Sequence, residues 1–189
     1  MKRKAAATEK VAKLVAPVNE RDHIQGALDA PITLVEYGDY ECSYCGEAYE
    51  IVKEIQERLG DQLCFAFRNF PLTDMHPHAE HAAEAAEAAG GQGRFWEMHD
   101  LLFENQEALD DEALLEYAAE AGLDISRWIS DMEAGTYLAR VQEDLKSGAR
   151  SGVEGTPTFF INGVRHDGGY DLDSLLGALA QKAKVEGKA

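Results

Sequence analysis

The sequence predicts an α/β fold interrupted by an all-helical insertion, and three observations carry that prediction. An alternating apolar stretch at residues 32–37 runs directly into a helical period at 44–59 and is followed by a second apolar run at 63–67, which reads as strand, helix, strand. From about Asp74 to Ser151 the period is helical throughout. After that, Asn162-Gly163 marks a two-residue hairpin and a last Leu-rich period follows. With 189 residues and 45% hydrophobic content, the chain suits one core with an inserted subdomain.

In chain order, residues 1–20 are charged and Ala-rich, with only Val11, Leu14 and Val15 as a weak stripe before Pro17, and are expected to form a flexible arm. Residues 21–31 are turn-rich, with His23 facing solvent or packed locally. In the first strand Ile32, Leu34 and Glu36 share one face and Thr33, Val35 and Tyr37 the other. In the helix that follows, Tyr44, Ala48, Ile51, Val52, Ile55 and Leu59 recur at helical spacing, and Gly60 stands where it would stop. Leu63-Cys64-Phe65-Ala66-Phe67 is a buried central strand, with Cys64 an inert core thiol. The core thus comprises residues 21–73 and 152–189, and the insertion 74–151.

Within the insertion, Pro77 opens an Ala-rich helix that Gly90-Gly91 ends. A second helix runs from Arg94 to about Gln106 with Phe95, Met98, His99, Leu101 and Leu102 on its apolar side. Asp111 caps a third, which Gly122 ends; Asp124 or Ser126 caps a fourth, bearing Trp128, Ile129 and Met132. The last runs from Thr136 through Leu138, Val141 and Leu145 toward Gly148. Trp96 and Trp128 are read as core residues of this subdomain. Beyond it, Thr158-Phe159-Phe160-Ile161 is a third strand and Val164-Arg165-His166-Asp167 its antiparallel partner. Asp171 or Asp173 then caps a terminal helix bearing Leu172, Leu175, Leu176 and Leu179.

Eighteen Lys and Arg against 35 Asp and Glu leave a formal charge of -17, which argues against nucleic acid and anionic membrane surfaces as partners. No apolar run approaches the roughly 18 residues of a membrane span. Lys2-Arg3-Lys4 is followed only by Ala5-Ala6-Ala7 before Thr8, so no apolar leader core is present and a cytoplasmic location is expected. Three cysteines are too few for a disulfide-stapled scaffold.

The chemistry concentrates at Cys42-Ser43-Tyr44-Cys45, where the first strand meets its helix. Unpaired N–H groups and the macrodipole at a helix N-terminus favour a thiolate, and two cysteines so spaced can close a disulfide within the first turn. Cys42 lies nearer the exposed lip and takes the nucleophile role; Cys45, one turn deeper, resolves the mixed disulfide. A Cys-x-x-Cys pair is also half a zinc site, completed here by His76 or His78. His76, His78 and His81, with Glu80 and Glu84, form a second conceivable metal cluster, although the charged first turn of a helix explains them as well. The preceding strand, the following helix and the Thr156-Pro157 strand start make redox chemistry the leading reading. On residue statistics alone Pro157 is a trans strand-start proline.

Cys42-Ser43-Tyr44-Cys45 after a strand, Gly155-Thr156-Pro157-Thr158-Phe159-Phe160-Ile161-Asn162-Gly163 near the end and the helix-rich stretch between them resemble the thioredoxin superfamily, specifically its DsbA-like branch, from about residue 28 onward. The resemblance implies a mixed central sheet flanked by helices, and a dithiol-disulfide oxidoreductase without an external cofactor. It implies substrates that are protein or small-molecule disulfides and thiols, and a separate redox partner, unidentified, that regenerates the pair. It further implies a cis bond at Thr156-Pro157 packed on the dithiol, leaving the Thr156 backbone to pair with an extended substrate. Ser43 and Tyr44 then modulate the N–H groups that reach Cys42. Glu36, six residues before Cys42, matches the position of the family's buried acid and is expected to relay the Cys45 proton; a solvated strand end is the other reading of that residue. A relative that binds glutathione for isomerisation or transfer is the alternative within the family, but such members generally lack the second cysteine. A leaderless chain and Thr156 before Pro157 together point to reduction or isomerisation of substrate disulfides rather than net oxidation.

Overall fold

The computed structural model describes residues 12–186. A five-stranded mixed sheet forms the core, built from β1 (His23–Gln25), β2 (Ile32–Gly38), β3 (Leu63–Asn69), β4 (Thr158–Ile161) and β5 (Val164–Arg165) in the order β1-β3-β2-β4-β5. Only β2 and β3 are parallel, because the connection between them is the helix α1 (Ser43–Leu59). The other neighbours pair antiparallel. β3 is buried along its whole length, as its apolar run predicts, and Cys64 within it is inaccessible.

Both faces of β2 are covered. Ile32, Leu34, Phe65, Phe67, Phe159 and Ile161 face α1, α3 (Phe95–Glu104) and the terminal helix α7 (Leu172–Glu186). Val35, Tyr37, Ala66, Phe70 and Phe160 form a second core on the opposite face. Glu36 pairs in register with Phe67 on one side and Phe159 on the other, so its carboxylate enters the larger core.

Between β3 and β4 stand α2 (Ala79–Gly90), α3, α4 (Asp111–Glu120), α5 (Ile125–Glu133) and α6 (Leu138–Arg150). The alanines of α2 let the neighbouring helices approach closely, and seven of them are buried. Asp110 rather than Asp111 caps α4, accepting from the N–H groups of Glu112 and Ala113. Asp124 caps α5. The helix expected to end toward Gly148 continues to Arg150, because Gly148 is a packing position: a β-carbon there would lie 2.7 Å from Phe70 Cδ2 and 2.9 Å from Tyr37 Cδ1. Trp128 is core to the subdomain, whereas Trp96 turns back onto the sheet against Phe65 and donates to the carbonyl of Ile24 at 3.2 Å.

Two expectations for the N-terminal region change. Residues 21–31 contain a strand, β1, that pairs with the edge of β3, and His23 is tied to remote parts of the chain: it stacks on Phe95 at 3.5 Å and meets Glu87 Oε2 at 2.8 Å. The segment from residue 12 onward is not a free arm. Lys13 bridges to Val164, the Leu14 N–H donates to Gly163 O, and the Arg165 N–H donates to Ala12 O, so the exposed edge of β5 is partly covered. Buried Arg68 anchors this segment through Asp22 and the carbonyl of Ala16. The expected stripe residue Val11 and the basic cluster Lys2-Arg3-Lys4 lie outside the described residues.

Candidate active site

The last residue of β2 is Gly38, and four residues later Cys42 caps α1 with an extended backbone. The first turn is closed by Cys45 N–H and Gly46 N–H donating to Cys42 O at 3.0 and 3.1 Å. Both thiols are free and both are buried, Cys42 with 5% of its surface exposed and Cys45 with none, so the lip position of Cys42 is narrower than the sequence suggests. Ser43 and Tyr44 are the exposed members of the motif.

The two sulfurs differ in acidity. Cys42 is held down to about 5: the Cys45 thiol hydrogen-bonds it, the Thr156 side chain and the N–H groups of Cys45 and Tyr44 add to this, and partial burial opposes. Burial, the bond to Cys42 and the nearby Glu36 push Cys45 well above an ordinary thiol, against a 3.5 Å contact from the Asp39 N–H. As a thiol, Cys42 donates to the carbonyl of Thr156 at 3.5 Å. The Thr156 hydroxyl is buried and has no hydrogen-bond partner among the described residues. The Thr156–Pro157 bond is cis, and an open cleft of about 330 Å³ runs past Thr156, Pro157, Phe159, His166 and Tyr170.

Glu36 is 2% exposed, and its Oε1 has no hydrogen-bond partner. Desolvation, then the charge of Cys42, raises its carboxyl to about 8, so it is mostly protonated at neutral pH. His99, on the apolar side of α3, is driven down to about 3 by burial and stays neutral, with Nδ1 at 3.1 Å from the Tyr40 hydroxyl.

Three side chains that hold the motif have no signature in the local sequence. Gln106, in the loop after α3, donates through Nε2 to the carbonyls of Tyr40 at 2.7 Å and Cys42 at 2.9 Å. Gly46 makes room for it, since a β-carbon there would lie 2.1 Å from Gln106 Oε1. Asp39 is buried, with Oδ1 accepting from the Glu41 N–H and Oδ2 from the Leu72 N–H. His76 adds Nδ1 to the same Oδ2 at 2.8 Å. The three histidines of the conceivable metal cluster do not converge: His76 goes to Asp39, His81 to Asp111, and the His78 N–H to Glu41. Among the described residues no group of three or more His, Cys, Asp or Glu side chains is placed to hold a metal ion.

Two cysteines at the start of α1, a cis-proline against them and a helical insertion between β3 and β4 of this sheet make the arrangement that of a dithiol site on a thioredoxin fold. A family model described as Thioredoxin matches residues 18–181, and the chain belongs to that family. BdbD from Bacillus subtilis, in its oxidised form, superposes with a TM-score of 0.80 at 24% identity over 93% of this chain and 100% of that one. A thioredoxin-like oxidoreductase from Silicibacter pomeroyi gives 0.78 at 26% identity, covering 88% and 94%. In sequence, the chain is 46% identical over 173 residues to a protein of Salinispora arenicola named Na(+)/H(+) antiporter NhaA 1, covering 91% of this chain and 26% of that protein. The chain thus spans about a quarter of the length of such relatives.

Proposed function

We propose that the chain exchanges disulfides with protein or small-thiol substrates through Cys42 and Cys45, working as a reductase or isomerase. The observation that carries the exchange chemistry is the pairing of two adjacent thiols at the start of α1, one stabilised as thiolate and one held as thiol; the direction rests on the cytoplasmic setting. The Cys42 thiolate attacks one sulfur of a substrate disulfide, forming a mixed disulfide and releasing the other substrate sulfur as thiolate. Cys45 then loses its proton and attacks the Cys42 sulfur; the Cys42–Cys45 disulfide forms, the second substrate thiolate leaves, and two electrons have passed to the substrate. A dithiol donor, the regenerating partner, returns them.

In this reading the ionised form of Glu36 takes the Cys45 proton during resolution; once Cys42 is in the mixed disulfide its thiolate no longer helps to hold the carboxyl protonated, so more of that form is present at this step. The substrate chain lies in the cleft beside Pro157 and pairs with the Thr156 backbone, with Ser43 and Tyr44 at its edge. The resting pair is the dithiol in a cytoplasmic setting, which acid quenching of cells followed by alkylation reads directly. A second setting is favoured by the antiporter-named relatives, about a quarter of whose length this chain spans: a thiol–disulfide domain attached to an ion transporter.

The test is the Cys45→Ser variant with a disulfide substrate. It should accumulate a mixed disulfide through Cys42, and in the wild type iodoacetamide should modify Cys42 with a midpoint near pH 5 while Cys45 and Cys64 stay unmodified. Failure to trap any adduct, or faster modification of Cys45 or Cys64, would overturn the assignment.

A further inference from the structure

His76 lies in the loop between β3 and α2, outside the Cys-x-x-Cys motif, and its imidazole closes the turn that carries the motif. The turn is anchored on Asp39, whose side chain is fully buried three residues before Cys42. Asp39 uses its backbone as well: its carbonyl accepts from the Cys42 N–H at 3.2 Å, and its N–H reaches Cys45 Sγ at 3.5 Å. This buried carboxylate sits three residues from Cys42, and the Glu41 and Leu72 N–H groups that bond it carry no net charge. Among the described residues, the His76 side chain, 22% exposed, is the one hydrogen-bond partner of Asp39 that can carry a positive charge.

We propose that His76 is a positioning residue of the redox site: held on Asp39, its imidazolium cancels the carboxylate charge beside Cys42, stabilises the Cys42 thiolate and shifts the dithiol–disulfide balance toward the dithiol. The proposal rests on the exchange reading above for its functional meaning, but its electrostatic part does not need a substrate. Among the described residues, the charges that act most on the imidazole are those of Asp39, Cys42 and Glu41 on the motif side, and Asp74 is its nearest acidic chain neighbour. Burial pulls the imidazole down, and Asp39, then Cys42 and Glu41, outweigh it, so His76 titrates above its ordinary value. Because interactions between titrating sites are reciprocal, a thiolate that holds the proton on His76 is itself held by that proton. Disulfide formation abolishes the thiolate, so the imidazole must titrate lower in the oxidised protein than in the reduced one. Below the pH at which His76 loses its proton, Cys42 is a better-stabilised thiolate and the disulfide a stronger oxidant; as pH rises through that value both effects fade.

The test compares the wild type with His76→Gln, which keeps an N–H for Asp39 but removes the charge, and His76→Arg, which restores the charge. Cys42 alkylation by iodoacetamide is followed against pH, the dithiol–disulfide equilibrium is measured against glutathione, and the His76 ring is titrated by NMR in both redox states. His76→Gln should raise the Cys42 midpoint by about one pH unit, the roughly tenfold effect of a single nearby charge. The equilibrium constant should shift about tenfold toward the disulfide, about 30 mV more reducing for this couple, and His76→Arg should reverse both. In the wild type the His76 ring should titrate lower when Cys42 and Cys45 are oxidised. A folded His76→Gln protein with unchanged Cys42 midpoint, a shift that His76→Arg fails to reverse, or a His76 titration indifferent to redox state would each overturn the proposal. If the wild-type pair fails to equilibrate with glutathione, the functional reading falls instead, and the alkylation profile and ring titration still decide the electrostatic role.

Discussion

Replacing Glu36 with Gln should stabilise the protein in a pH-dependent way, because a carboxyl that titrates at about 8 when folded and at an ordinary 4.5 when unfolded is held protonated by the fold. The folded state binds that proton more tightly, so stability is fully present below about pH 4.5 and falls as pH rises toward 8. At pH 7 the unfolded carboxyl is ionised and the folded one is not, and at about 1.36 kcal/mol per pH unit the accumulated penalty comes to about 3 kcal/mol. Glutamine has nearly the same shape and does not titrate. Glu36→Gln should therefore gain about 3 kcal/mol over wild type on going from pH 4.5 to 7, or roughly 6 to 12 °C in Tm for a chain of this size. Urea denaturation of the reduced proteins across that range gives the difference directly, and any constant offset from the unpaired amide drops out. Part of the rise comes from the Cys42 thiolate, so the gain should be smaller when the pair is oxidised. A difference between the two proteins that is the same at pH 4.5 and 7 would refute a buried, displaced carboxyl. The same variant should slow resolution of a mixed disulfide more than the initial attack, and equal slowing of both steps would refute the proton relay.

Gly46→Ala should drive Gln106 off the motif and cost about 1 to 3 kcal/mol, because the Tyr40 carbonyl loses its partner while Cys42 O keeps the N–H groups of Cys45 and residue 46. A double-mutant cycle with Gln106→Ala checks this, since the losses should be strongly non-additive if Gly46 acts through Gln106. Asp22→Ala strands the buried Arg68 guanidinium and should cost about 3 to 5 kcal/mol by urea denaturation, with faster proteolytic cutting near residues 12–22; an unchanged midpoint would show that the segment is held by its β5 contacts alone.

The periodic elements were legible before folding because their signals are local. The strand of Ile32, Leu34 and Glu36, the dithiol at the start of a helix, the alanines of α2 and the Asn162-Gly163 hairpin all express themselves within a few residues. In that hairpin both residues adopt positive φ, 47° and 75°, as the residue types predict. The placement of Glu36 beside two aliphatics on β2 was also legible, since a strand's faces alternate strictly. What surrounds that carboxyl was not: its unpaired oxygen depends on Phe67 and Phe159 arriving on neighbouring strands from about 30 and 120 residues away.

The same distinction separates the dithiol from its supports. Cys42 and Cys45 were marked by their spacing together with the strand before and the helix after, whereas Gln106 and His76 reach the motif only after the insertion has folded over it, and Asp39, although only three residues from Cys42, is buried by partners at Leu72 and His76. β1 was missed because three residues carry too short a pattern to read, and its strand character comes from the unpaired edge of β3. Residues 12–18 looked free for the same reason, their partners being the edge of β5 and the buried Arg68. Local backbone and turn preferences, together with the 2.0 and 3.6 residue periods, set which segments became strands and helices. Only the tertiary structure decided which charges were buried and which neighbours they met, because burial and the fields that shift a thiol or a carboxyl come from groups remote in the chain.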